Sequence, residues 1–340
     1  MTMLANSPVP LRRAITGTYA LLIAANIAAW AWAWALFHDQ PVLLGTALLA
    51  YSFGLRHAVD ADHIAAIDNV TRKLMQEGQR PVMVGLFFAL GHSAVIVLAV
   101  AGVALGSAAL ADSYEGWKEI GGLVGTSVSA LFLFGIAAAN ILILLEVWRS
   151  FQQVRRGRPD PALSTAASGP MARLFRPVLR LVGRSWHMVP LGFLFGLGFE
   201  TATEVTLLGI SATQAGQGAT VGTIMVFPAL FAAGMTLVDT TDGVLMLGAY
   251  EWAYVKPLRK LWYNLTITAV SVVVALLIGG IEALGLIGRR LALEGWFWEA
   301  VGGINENFNL VGFAIIGLFV VAWAGSMLAY RFSGLDEVDL

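Results

Sequence analysis

Eight apolar runs, each long enough to cross a lipid bilayer, constrain the fold of this 340-residue chain more than any other feature. A helix needs about 20 apolar residues to cross the hydrocarbon core of a membrane. The runs lie near residues 14–37, 42–70, 82–110, 120–147, 187–212, 218–249, 262–288 and 309–330. We therefore predict an all-α integral membrane protein with eight transmembrane helices, which form a single polytopic membrane domain over residues 1–340.

The composition agrees with a protein embedded in a lipid bilayer. Hydrophobic residues make up 58% of the chain and charged residues only 13%, whereas a soluble protein carries about 25% charged residues. The net charge of −1 gives no reason to expect nucleic acid as a partner. The chain has no cysteine, which excludes thiolate metal sites. It also has no P-loop motif, so we expect no ATP hydrolysis, and no ATPase subunit is evident.

The basic residues predict the orientation of the chain in the membrane. If the N-terminus is inside, 17 of the 21 Lys and Arg residues fall in cytoplasmic segments, three fall outside and Arg56 lies within a run. Because cytoplasmic loops carry an excess of Lys and Arg, we predict a multi-pass protein of the cytoplasmic (inner) membrane with both termini cytoplasmic. The longest loop, residues 148–186, is rich in Arg and Pro. We predict that it is a flexible cytoplasmic linker between two halves.

The second apolar run contains Arg56, His57, Asp60, Asp62 and His63. A charge at the centre of a membrane helix costs roughly 2.5–3.5 kcal/mol, so such residues usually mark a binding site or an ion path. Imidazole and carboxylate groups are ligands for divalent transition metals. At about 100° per residue, His57, Asp60 and His63 share one sector of a continuous helix. We predict these three as metal ligands, with Asp62 either a further ligand or a partner of Arg56.

Polar residues also occur in the third, fifth and sixth runs. They are His92 and Ser93, then Glu200, Thr201, Thr203 and Glu204, and finally Asp239, Thr240 and Asp242. We expect His92 to be a further metal ligand and the others to line the transport path or to support the ligands. The threonine hydroxyls have a second interpretation, which is a hydrogen bond to neighbouring backbone. Asp68 and Glu282 lie near the ends of predicted spans, where exposure at the membrane interface accounts for them.

The polar motifs also suggest internal symmetry. Asp60 and Glu200 are three spans apart, and so are His92 and Asp239. An odd number of spans reverses the orientation of the second unit. This favours an inverted repeat of spans 1–3 and 4–6, with the site at the interface of the repeats.

Four of these motifs resemble those of the nickel/cobalt transporter family. Residues 56–64 match the family's second-span block, and residues 88–96 match the third-span motif except that Ala94 replaces the usual Thr. Residues 197–204 match the fifth-span motif with Glu200 in place of an expected Asp, and residues 234–242 match the sixth. The resemblance implies eight spans, high-affinity uptake of Ni²⁺ or Co²⁺, and metal binding by the second-span His and Asp residues.

We therefore predict a secondary transporter that imports Ni²⁺ or Co²⁺, with the ion as transported substrate rather than cofactor, and not an enzyme. A metal exporter is the main alternative, although such exporters often carry a His-rich loop and residues 148–186 contain no His. An intramembrane metalloenzyme is disfavoured, because the chain has five His residues and no His-Glu-x-x-His motif. A proton-coupled carrier of organic substrates is the third alternative.

Overall fold

The computed structural model describes residues 9–106, 108–155, 182–198, 202–253 and 257–332, which are helical with short connections and contain no strand. The helices are α1 (Val9–Phe37), α2 (Pro41–His57), α3 (Ala61–Gln76), α4 (Val84–Ala104), α5 (Ala108–Arg155), α6 (Met188–Gly196), α7 (Ala202–Gly216), α8 (Val221–Ile224), α9 (Val226–Ala253), α10 (Pro257–Arg290), α11 (Trp296–Glu306) and α12 (Phe308–Phe332). A short 3₁₀ turn, Ser185–His187, precedes α6.

The protein is a multi-pass membrane protein. Five segments of the described chain are long and apolar enough to cross a bilayer, and there are up to seven candidate spans if each of two bent helix pairs counts as one. The bent pairs are α2 with α3, at 52°, and α11 with α12, at 75°. Helices α6 and α7 cover the predicted fifth run, but residues 199–201 between them lie outside the described residues. The eight spans and the inverted repeat therefore stay predictions.

The second apolar run forms two helices, so the assumption of a continuous helix through the His and Asp block is wrong. Helix α2 ends at His57 and α3 begins at Ala61, with Asp60 in an extended conformation (φ −65°, ψ 146°) before α3. Gly312 of α12 packs against the carbonyl of Val59 within the break, and a Cβ atom at Gly312 would overlap that oxygen. The break between α2 and α3 thus packs against α12, a helix far away in the sequence.

Glycines bring α6 close to α4. Cβ atoms added at Gly192 and Gly196 would run into the α4 backbone at Phe88 and His92, and one at Gly91 would meet the carbonyl of Val189. Gly192 and Gly196 are four residues apart, the spacing that lets membrane helices pack backbone to backbone. This contact fixes the part of α4 that carries His92.

Helix α9 lies at the centre of the bundle and packs against α2, α3 and α4. Gly54 of α2 contacts the carbonyl of Phe231, and Gly85 of α4 contacts the carbonyl of Asp239. Asp239 is therefore held between the helices that carry the predicted metal ligands.

Parts of two predicted cytoplasmic segments are helical. Arg72 and Lys73, which follow the second apolar run, belong to α3 and are 0% and 5% exposed. Lys73 Nζ donates to the carbonyl of Val182 at 2.6 Å. The first residues of the predicted linker, up to Arg155, continue α5, whereas residues 156–181 lie outside the described chain. Helix α3 is longer than the apolar run because its polar end has partners inside the bundle.

Candidate metal centre

Three histidines from three helices meet inside the bundle. His57 ends α2, His63 lies in the first turn of α3 and His92 lies in the middle of α4. Their ring centroids are 4.7 to 4.8 Å apart, and none of the three is more than 3% exposed. One ring nitrogen from each lies within 4.8 Å of the others. Three buried imidazoles at this spacing form a candidate site for a transition metal ion.

A carboxylate from a fourth helix completes a tight group of donor atoms. The Nε2 atoms of His57 and His92 are 2.8 Å apart. Oε1 of Glu204, in α7, lies 3.0 Å from His92 Nε2 and 3.6 Å from His57 Nε2. With metal–ligand bonds of about 2.1 Å, neighbouring ligands lie about 3.0 Å apart in an octahedron and about 3.4 Å apart in a tetrahedron. The three atoms therefore already have the spacing of ligands on one ion.

Carboxylates contact two of the imidazoles at Nδ1, the ring nitrogen that is not part of the group of Nε2 donors. His57 Nδ1 lies 3.1 Å from Asp60 Oδ2, and His63 Nδ1 lies 3.2 Å from Asp239 Oδ2. In metal sites such contacts fix the ring orientation and raise the basicity of the ligating nitrogen. The Nε2 atom of His63 is buried and has no hydrogen-bond partner among the described residues. It is thus available as a fourth donor beside the other two histidines.

Asp60 has a position different from the one its sequence context suggests. It immediately precedes α3, where an Asp side chain usually accepts from the first helical N–H groups, but its side chain makes no such bond. Instead its carboxylate contacts His57. The sequence predicts Asp60 as a direct ligand, whereas the geometry places it behind His57.

Glu204 and Thr203 lie closer to the histidines than the sequence suggests. Both are buried, and Thr203 Oγ1 lies 3.4 Å from His57 Nδ1. Glu204, predicted to line the path or support the ligands, has its carboxylate beside two imidazoles. Glu200 and Thr201, predicted on the same segment, lie outside the described residues.

The remaining predicted residues surround the centre. The hydroxyls of Ser93 and Thr240 donate to the carbonyls of Ala89 and Thr236, each at 2.6 Å. Thr240 therefore follows the backbone-bonding interpretation given for the threonines, and Ser93 makes the same kind of bond. Arg56 is exposed, and its Nη2 donates to Asn309 Oδ1 of α12 at 3.2 Å. The bond joins the end of α2 to the start of α12.

Asp62 and Asp242 lie in different surroundings. Asp62 is partly buried and lines a cavity of about 100 Å³ together with His57, His92 and Glu204. This cavity extends to Arg289 and Glu306, both of which are exposed. The cavity thus connects the centre to the surface of the protein. By contrast, Asp242 Oδ2 is buried and has no hydrogen-bond partner within the described part of the chain.

A second polar group of residues lies further along α3. Asp68 is fully buried, which corrects its prediction as an interfacial residue. It accepts hydrogen bonds from Tyr250 and Ser271, each at 2.7 Å, and interacts electrostatically with Arg72. Arg72 donates to Asn69 and Thr268. We refer to these six residues as the α3 network. It lies beyond the His centre, towards the end of α3 that the basic residues assign to the cytoplasm.

Two residues of interest were missed by the sequence-based reasoning. Glu282 is only 5% exposed and accepts a hydrogen bond from Ser129, rather than lying at the interface as predicted. Gly312 supports the helix break. A charge inside an apolar run was the available signal for Glu282, whereas Gly312 has no sequence signal because its partner is a distant backbone carbonyl.

Together these features define a multi-pass membrane protein with a buried imidazole–carboxylate centre suited to a divalent transition metal. The chain belongs to the nickel/cobalt transporter family, since the family model NicO, described as a high-affinity nickel-transport protein, matches residues 43–329. This confirms the family resemblance drawn from the four motifs.

Curated relatives cover nearly the whole chain. A high-affinity nickel transport protein of Cupriavidus necator is 57% identical over 95% of this chain and 93% of its own length. The hydrogenase nickel incorporation protein HupN of Bradyrhizobium diazoefficiens is 59% identical over 94% of this chain and 86% of its own. The cobalt transport protein NhlF of Rhodococcus rhodochrous is 42% identical over 84% and 82%. No solved structure matches the chain.

Proposed function

We propose that this protein imports Ni²⁺ or Co²⁺ across the cytoplasmic membrane through the buried His centre. The observation that carries the proposal is the group formed by His57 Nε2, His92 Nε2 and Glu204 Oε1, with separations of 2.8 to 3.6 Å. Imidazole and carboxylate donors suit both ions. The names of the relatives, which include nickel and cobalt transport proteins, support the same substrates.

The centre can take an ion with small side-chain movements. Distances of 2.8 and 3.0 Å also fit hydrogen bonds, so shared protons hold the donor atoms together before the metal binds. The ion displaces these protons, because only deprotonated nitrogen and carboxylate oxygen can ligate it. His63 Nε2 supplies a further donor. Asp60 and Asp239 contact the Nδ1 atoms of His57 and His63 and fix the orientation of these rings. The centre is therefore preorganised for binding.

The direction of transport is proposed from the access to the centre. The cavity reaches Arg289 and Glu306 at the corner between α10 and α11, the side that the distribution of basic residues assigns to the exterior. On the opposite side lies the hydrogen-bonded α3 network. A membrane potential that is negative inside favours cation entry by roughly 2.3 kcal/mol per charge for each 100 mV.

Uptake of labelled Ni²⁺ by metal-starved cells tests the proposal. We expect His92→Gln and Glu204→Gln to abolish most uptake, because each removes a donor atom from the centre. His38→Gln is the matched control, since His38 is exposed and pairs with Asp39. Competition by Co²⁺, Zn²⁺ and Mn²⁺ then ranks the ions. Wild-type uptake in both centre variants, with normal membrane insertion, would overturn the site assignment.

Two further measurements separate the alternatives. An exporter would lower the intracellular nickel content on expression, whereas the proposed importer raises it. Titration of the purified protein with Ni²⁺ should show a site that the Glu204→Gln variant weakens. Substrate turnover without metal transport would instead support an enzyme.

A further inference from the structure

The cavity beside the His centre has an outer part built by residues from none of the four family-like motifs. This part is lined by Thr126 and Ser129 of α5, Glu282 and Arg289 of α10, and Asn305 and Glu306 of α11. Its inner end is lined by His92, which is 3% exposed and whose Nδ1 has no hydrogen-bond partner among the described residues. The cavity therefore leads from the protein surface to a buried nitrogen.

Glu282 is the most deeply buried carboxylate of this outer part. It is 5% exposed, and the hydroxyl of Ser129 donates to its Oε1 at 2.8 Å. Ser129 is itself 3% exposed. A carboxylate costs several kcal/mol to place in a membrane interior, so such residues usually lie on an ion pathway. The hydrogen bond from α5 fixes the Glu282 side chain in the cavity wall.

The charge of the cavity wall favours a cation. Asp62, Glu282 and Glu306 contribute carboxylates, and Arg289 is the basic residue of the lining. A cleft lined mainly by one sign of charge focuses the field and raises the local concentration of the opposite ion. A cavity of about 100 Å³ has room for several water molecules, since one water takes about 30 Å³ of the liquid. A divalent ion can therefore keep part of its hydration shell here.

The donor atoms differ in kind between the two parts of the cavity. The outer part offers oxygen from Glu282, Ser129, Thr126 and Asn305, whereas the inner end offers imidazole nitrogen together with the Glu204 carboxylate. Oxygen ligands with retained water bind divalent cations with little preference for the transition metals. Discrimination between different divalent metals then takes place at the His centre.

We propose that Glu282, held by Ser129, forms an intermediate site that receives the partly hydrated divalent cation from outside and passes it to the His centre. This inference rests on the proposed function for its direction and substrate. Glu282 concentrates the cation beside the centre and replaces part of its water. Ser129 is a positioning residue for the Glu282 carboxylate.

The absence of cysteine from the chain allows a test that does not depend on transport. Ser129→Cys places a thiol in the outer cavity. Ser211→Cys is the matched control, because Ser211 is buried in α7 and outside this cavity. Intact cells are treated with a membrane-impermeant cationic thiosulfonate, and labelling after denaturation verifies that each thiol is present. We expect labelling of Ser129→Cys only, slowed several-fold by Ni²⁺. Equal labelling of both variants, or none at Ser129→Cys, overturns the access path.

Glu282→Gln tests the intermediate site itself. The amide keeps the size of the side chain and an oxygen for the Ser129 hydrogen bond. We expect the Ni²⁺ concentration for half-maximal uptake to rise about tenfold, the lower end of electrostatic focusing effects. Equilibrium binding of Ni²⁺ by the His centre should persist in the purified variant, and Glu282→Asp should recover part of the uptake. Unchanged uptake, or loss of equilibrium binding, overturns the intermediate site. Absence of uptake by the wild type would instead refute the proposed function, while the labelling result would still stand.

Discussion

The two sides of the His centre differ in how their charged groups are accommodated. On the outer side, Asp62, Glu282 and Glu306 line a cavity that reaches the surface. On the inner side, the carboxylate of Asp68 is fully buried and bonded by Tyr250 and Ser271. The outer carboxylates border space that a cation can enter, whereas Asp68 does not line this cavity. Buried carboxylates in this protein thus occur in two settings, in the wall of a cavity and within a hydrogen-bonded network.

The closed side has a mechanistic consequence. In the proposed import, the α3 network lies between the His centre and the cytoplasmic side. Breaking the hydrogen bonds of this buried network is costly, because each unmade bond leaves an unpaired buried polar group. We therefore infer that release in the proposed import needs a second arrangement of α3 and α9. Four variants test the contacts on both sides of the centre, in order of decreasing effect.

The largest expected effect is at Arg72. Arg72→Met leaves the buried Asp68 carboxylate without its counter-charge and should reduce the free energy of unfolding by about 3–5 kcal/mol. Thermal unfolding of the purified protein in detergent measures this loss. The double variant Arg72→Met/Asp68→Asn should recover part of it, because it removes both charges. Equal destabilisation by Glu282→Gln would contradict the distinction between the two sides.

The next effect concerns the helix break between α2 and α3. Gly312→Ala introduces a methyl group that overlaps the Val59 carbonyl, and overpacking of this kind costs about 1–3 kcal/mol. We expect reduced stability and reduced Ni²⁺ uptake, because the break carries His57 and Asp60. The matched control is Gly317→Ala on the same helix, where a Cβ atom meets no other atom within 4 Å. Similar behaviour of both variants would show that α12 does not support the break.

A smaller effect is expected for Asp60→Asn, which removes a charge but keeps the size of the side chain. If Asp60 acts through His57, Ni²⁺ affinity should fall by about 10-fold, the lower end for residues that orient a ligand. Isothermal titration of the purified variant measures the affinity. A complete loss of binding would instead identify Asp60 as a direct ligand, as predicted from the sequence.

The smallest effect is expected at Arg56. Its side chain is exposed and bonds Asn309 rather than lying within the centre. Arg56→Gln should change Ni²⁺ uptake by about twofold or less, since exposed polar contacts contribute about 0–1 kcal/mol. A loss comparable to that of Glu204→Gln would show that Arg56 serves as the counter-charge of Asp60 or Asp62.

The class of protein and the histidines of its candidate site could be predicted from residue types and their spacing. Long apolar runs predict helices in a membrane because backbone groups there must bond within the chain. The His residues were conspicuous because charged and polar groups are expensive in that environment. Both signals are local, and both are read from residue type and spacing along one segment.

Tertiary structure alone decided which of these residues meet and how. Angles along one helix predicted that His57, Asp60 and His63 share a face, but the break at residues 58–60 sets their contacts instead. Glu204 joins the centre because glycine contacts bring α4 and α6 together, and α7 follows in the chain. The burial of Glu282 and Arg72 likewise depends on partners more than 100 residues away. Contacts between distant segments follow from backbone packing, which the spacing of residues within one helix does not encode.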